Sequence, residues 1–147
     1  MSTSEMPARK LATRFVVPNS ALAPKIMRDL VAALLIATGH PLLVEAARLC
    51  VSEVITNVHL HTRTTLVYLD VHMQAGCVNV SVWDEAWMQR PTPARHDDYS
   101  DDERGRGLLL VQRLTSQWGV TWPAESGAAR KRVWFVLDES EQYGAAA

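Results

Sequence analysis

The stretch SEVITNVHLHTRTTLVYLDV, Ser52 to Val71, changes its period midway. Before the change, Leu43, Ala47, Cys50, Val54 and Val58 recur at helical spacing and predict a helix with one buried stripe. From Thr65 the period falls to two. Val67, Leu69, Val71 and Met73 face one way, while Tyr68, Asp70 and His72 face the other. Gln74-Ala75-Gly76 supplies a turn, and Val78, Val80 and Val82 continue the apolar face, which predicts a β-hairpin with one buried side.

Upstream, Leu11 to Val17 alternates as a short strand and stops at Pro18-Asn19-Ser20. Asn19 or Ser20 is placed to cap a first helix, with Pro24 in its first turn. Ile26, Leu30 and Leu34 recur along that helix, flanked by Met27 and Val31, and Gly39 ends it. Pro41 suits the first turn of the second helix. Downstream, Asp84 to Gly107 breaks every pattern, and a stretch that long inside a domain is usually functional or mobile. Leu108 to Leu114 then reads as a helix, and Trp118–Trp122 and Val133–Leu137 as strands. AESGAARKR between those strands is a turn or loop. Strands joined mainly by hairpins, with helices grouped apart, predict an α+β two-layer sandwich: a mixed, mainly antiparallel sheet with helices on one face. Repeated βαβ units and an early glycine-rich loop are absent, which argues against a doubly wound fold. The expected division is a flexible N-terminus (1–10), one domain (11–138) whose long loop covers 84–107, and a flexible tail (139–147).

The bulk properties narrow the function. The chain has 147 residues, 48% hydrophobic and 21% charged, with a net charge of −1. That composition is globular, and its charge balance argues against a broad nucleic-acid surface while allowing a local anion site. The longest apolar stretch, Leu30–Thr38, is too short for a membrane span, and the N-terminus has no export pattern. Cys50 and Cys77, the two cysteines, read as reduced thiols, so the expected location is the cytoplasm.

Four features can carry chemistry. Glu53 and Asn57 stack on one face of the second helix, where a carboxylate can accept a proton and an amide oxygen can ligate Mg²⁺. His61 is four on from Asn57 and can line the same site; His59 and His61, two apart, diverge and do not suggest zinc. Asp84 ends a buried strand, where a carboxylate can receive a base amine or simply open a turn. Gly105-Arg106-Gly107-Leu108 lies where the long loop meets a helix start, a natural anion site to which Arg104 and Arg106 add charge. The same residues also describe an ordinary helix entry.

Taken in order, SEVITNVHLH, VSVWDEA followed by Pro91, GRGLLLVQRL, Trp118-Gly119-Val120 and KRVWFVL resemble the GHKL-type (Bergerat) ATP-binding fold of histidine kinases and gyrase. More closely, the chain is similar to the small single-domain anti-sigma-factor serine kinases of actinobacteria, from about Leu11 to Leu137. The resemblance implies ATP and Mg²⁺ as cofactors. Asn57 would hold the Mg²⁺ and Glu53 would take the proton. Asp84 would bind the adenine amine, Gly105 to Leu108 would cradle phosphate under an ATP lid, and Arg104 or Arg106 would touch the terminal phosphate. Lys131 would also reach a phosphate. The partners implied are a sigma factor and an anti-sigma-factor antagonist phosphorylated on serine, with homodimerisation open and no nucleic acid or membrane bound directly. The family's D-x-G-x-G box is here Asp84-Glu85-Ala86-Trp87-Met88, and its late G-[KT]-x-V-W element is Arg130-Lys131-Arg132-Val133-Trp134, each without glycine. A non-catalytic interaction regulator with a degenerate nucleotide site therefore stands as the alternative.

Overall fold

A computed structural model describes residues 10–85, 109–121 and 131–141. Strand β1 (Leu11–Pro18) leads into helix α1 (Ala23–Ala37), and a 3₁₀ turn at Pro41–Leu43 leads into helix α2 (Val44–His61). The hairpin β2 (Leu66–Gln74) and β3 (Cys77–Trp83) follows, and then β4 (Gln117–Thr121) and β5 (Arg132–Asp138). Residues 109–114 are helical, as expected, and 139–141 add a helical turn. The five strands run in the order β1-β2-β3-β5-β4, and every described pairing is antiparallel. The architecture is thus the predicted α+β sandwich.

Alternation along each strand divides the sheet into two faces. Val67, Leu69, Val71, Val78, Val80, Val82, Phe135 and Leu137 point into one core with Met27, Val31 and Leu35 of α1 and Ala47, Cys50, Val54 and Val58 of α2. The stripe expected for α2 is therefore the stripe that is buried. On α1 the deepest line is Ala23-Met27-Val31-Leu35, whereas Ile26 stays 42% exposed and Leu30 and Leu34 sit half-buried. Both lines repeat at helical spacing. Periodicity alone does not say which of two adjoining apolar lines turns inward; the helix packs against α2 as well as the sheet, and that settles it.

The helix ends are chemically distinct. Thr38 closes α1, and Gly39 at φ +81° lets its own N–H reach Ile36 O (3.2 Å) and the His40 N–H reach Leu35 O (2.8 Å). This satisfies carbonyls that the last turn leaves unpaired. At the other end Leu22 occupies the N-cap without a side-chain bond, and Ser20 Oγ accepts from the Leu22 N–H at 3.2 Å. Asn19 does not cap α1. Its Nδ2 donates to Thr64 O (2.9 Å) and its Oδ1 pairs with His59 Nδ1 (3.1 Å), fastening the end of β1 to the far end of α2.

The sheet face opposite the helices carries a ladder of polar and aromatic side chains. Arg14 donates twice to Asp70, at 2.6 and 2.9 Å, and Trp83 Nε1 adds a third donor at 2.9 Å. The bond from Arg14 is the main reason the Asp70 carboxyl is held below the ordinary carboxylate range. Arg132 donates to Ser81 Oγ at 3.0 Å and lies 5.5 Å from the Trp83 ring and 5.8 Å from the Trp134 ring. Within α2, burial, with the Glu53 charge nearby, pushes the Cys50 thiol up to about 12, so it stays protonated and inert. No helix among the described residues is long and apolar enough to cross a membrane.

Candidate functional site

The site begins on α2. Glu53 and Asn57 are one turn apart, both half-buried, beside the stripe Cys50-Val54-Val58. That stripe fixes the helix's rotation and so leaves these two side chains along its border. Among the described residues no side-chain hydrogen bond or ion pair engages Glu53 or Asn57. His61 is exposed in the last turn. The helix stops at Thr62, whose Oγ donates to Val58 O at 2.8 Å, and Thr62 to Thr65 turn the chain into β2.

The same end of the sheet holds Asp84. It follows the last residue of β3 and is 2% exposed. Its N–H donates to Lys131 O at 3.2 Å, which sets Lys131, just ahead of β5, beside it. The next N–H, that of Glu85, donates to Thr64 Oγ1 at 2.9 Å, and Thr64 Oγ1 in turn donates to Leu66 O at 2.8 Å. Tyr68 Oη donates to Glu85 Oε1 at 3.2 Å. The exit of α2 and the exit of β3 are thereby joined through Thr64. Arg104, Gly105, Arg106, Gly107 and Leu108 lie outside the described residues, as do Ala86 to Met88.

The donor set suits a hard cation that arrives with phosphates. Asn57 offers a neutral amide oxygen and Glu53 a carboxylate one turn earlier. Mg²⁺ needs only one or two such protein ligands when phosphate oxygens and water complete its octahedron. No group of three or more His, Cys, Asp or Glu among the described residues is arranged to hold a metal by itself. A buried carboxylate at Asp84 can accept from an N–H of a base, and the Lys131 backbone runs beside it.

Two features were not legible in the sequence. Thr64 carries no signal in the sequence, because no periodicity marks a side chain whose partner is 21 positions away. Arg132 occupies a position in the late G-[KT]-x-V-W element, yet its side chain goes to the helix-free face, between Trp83 and Trp134. Strand alternation from Val133 and Phe135 gives that direction in retrospect.

The histidine kinase-like ATPase domain family matches residues 17–136 of the chain. Among solved structures, the fold is similar to that of the RsbU and RsbW domains of Rv1364c from Mycobacterium tuberculosis, with a TM-score of 0.61 and 14% identity. That similarity covers 87% of this chain and 32% of the other, so the chain spans about a third of that protein's length. No curated protein sequence matches.

Proposed function

The chain belongs to the histidine kinase-like ATPase domain family, and on that premise we propose that it binds Mg-ATP and acts as an anti-sigma-factor-type regulator that phosphorylates serine on an antagonist protein. One observation carries the reading: Glu53 and Asn57 lie one turn apart on α2, and Thr64 joins the end of that helix to the strand exit that holds Asp84. The structural likeness to RsbU and RsbW domains supports the choice of regulator class.

Each residue then has a task. Asp84 accepts a hydrogen bond from the adenine amine. Asn57 offers its amide oxygen to Mg²⁺, which when bound neutralises charge on the phosphates. Lys131, together with Arg104 or Arg106 and the Gly105–Leu108 segment, supplies positive charge and backbone donors to phosphate oxygens. The antagonist's serine oxygen attacks the terminal phosphorus, the bond to the bridging oxygen breaks, and ADP leaves with that electron pair. Glu53 takes the hydroxyl proton. His61 lines the approach from the end of α2.

The decisive measurement is transfer of labelled γ-phosphate from ATP to a serine of a cognate antagonist, with loss of transfer in Glu53→Gln. A verified antagonist that binds and receives no phosphate overturns the kinase reading. Ala86 and Met88, where the family has glycines, favour the second reading, a non-catalytic regulator. Titration with ATP, with and without Mg²⁺, separates them: Mg²⁺-dependent binding supports the first, and partner binding that survives Asn57→Ala without any nucleotide binding supports the second.

A further inference from the structure

We infer that Thr64 is a positioning residue that aims the Asp84 carboxylate at the base of a bound nucleotide. The inference rests on the nucleotide reading above and adds to it a residue from the turn between α2 and β2.

The direction in which a side chain leaves its Cα is set by the two peptide planes that flank it. At Asp84 both are pinned. The plane before it is held by the N–H to Lys131 O bond at 3.2 Å, and the plane after it by the Glu85 N–H to Thr64 Oγ1 bond at 2.9 Å. The second bond has no backbone equivalent, because the β2–β3 ladder has already ended at the pair Tyr68–Trp83. The Thr64 hydroxyl stands in for the missing strand carbonyl.

That hydroxyl is itself directed. It has a single proton, which goes to Leu66 O at 2.8 Å, so its lone pairs are left for the Glu85 N–H. Thr64 is 8% exposed and Asp84 2%, so water is poorly placed to replace the bond. The rest of Thr64 is anchored too. Asn19 Nδ2 donates to Thr64 O at 2.9 Å, and the Asn19 N–H donates to Thr65 O at 2.9 Å. The direction in which the Asp84 side chain leaves the backbone is therefore fixed from the end of β1, through the turn, to the exit of β3.

The test compares ATP with inosine triphosphate, which carries a carbonyl oxygen where adenine has its amine, by calorimetric titration of the full chain. Wild-type protein is expected to prefer ATP. Thr64→Val removes the hydroxyl at nearly constant volume and is expected to weaken ATP binding about tenfold, the loss of one good hydrogen bond, with inosine triphosphate unchanged. Thr64→Ser keeps the hydroxyl and the wild-type ratio. Thr64→Cys, similar in size and a poor acceptor, carries the same comparison if Thr64→Val does not fold. An unchanged ratio in Thr64→Val, or an equal loss for both nucleotides, overturns the positioning role and leaves the nucleotide reading standing. A wild-type protein that binds neither nucleotide overturns the nucleotide reading and the inference with it.

Discussion

Glu53 and Asn57 share a helix face but differ in what each contributes, and substitution separates them. Glu53→Gln keeps size and hydrogen bonding while removing the proposed base, so on the kinase reading phosphate transfer is expected to fall by about 100-fold or more with ATP affinity nearly unchanged. Asn57→Ala is expected to abolish the Mg²⁺ dependence of ATP binding in calorimetry, and binding that stays Mg²⁺-dependent would refute the assignment. Asp70 gives a prediction of a different kind. Its carboxyl is held low chiefly by the bond from Arg14, so the charged form favours the folded state. The stabilisation is present above the ordinary carboxylate pKa of about 4 and is lost as pH falls through the lower folded value. The Tm advantage of the wild type over Asp70→Asn should thus be largest near neutrality and shrink in acid. An advantage that grows in acid would contradict the sign.

At the scale of elements, two glycines test how the layers are joined. Gly39 sits at φ +81° with nothing within 4 Å of an added Cβ, so Gly39→Ala costs only backbone conformation. The expected loss is about 1–2 kcal/mol in denaturant unfolding, and Gly39→Asn should recover part of it. Gly119 has an ordinary backbone but no room: an added Cβ would lie 2.7 Å from Trp134 Cζ2. Gly119→Ala must displace that ring or shift β4 along β5. Faster amide exchange in β4 than in the wild type, with β2 unchanged, would show the displacement. Elements were the most legible level of this chain. The turn at Gly39, the stripe on α2 and the alternation of the hairpin are local, and each was visible in the residues themselves. The inward line of α1 was not, because Ile26-Leu30-Leu34 and Met27-Val31-Leu35 are equally periodic and only α2 distinguishes them. Asn19 misled for a related reason: a cap and a tertiary tether use the same side chain, and the tether's partners are 40 and 45 residues away.

At the scale of the whole molecule, α1, α2, Val111 of the 109–114 helix and the sheet's apolar face enclose one cluster of buried side chains among the described residues, centred on residues such as Phe135, Met27 and Leu69. A single core implies a single transition. Far-ultraviolet dichroism and tryptophan fluorescence should report the same urea midpoint, and Phe135→Ala should lower both together by about 3–5 kcal/mol of stability. Separate midpoints would mean that the sheet and the helix layer unfold independently. The candidate site was legible in outline at this scale and not in detail. Glu53, Asn57 and Asp84 announce themselves by residue type and order. How their elements meet depends on Thr64 and Lys131, which are close only after the chain has folded.

Strand β3, third of the five strands, carries Asp84 immediately beyond its end. A central strand is bonded on both sides and opens only when the domain does, so the backbone that leads into Asp84 is held as long as the domain is folded. The placement of the Asp84 backbone is thus completed during folding, and the proposed contact with a nucleotide would cost little further ordering there. It follows that changes far out on the sheet, in residues that never approach a ligand, should weaken binding to the degree that they loosen β3.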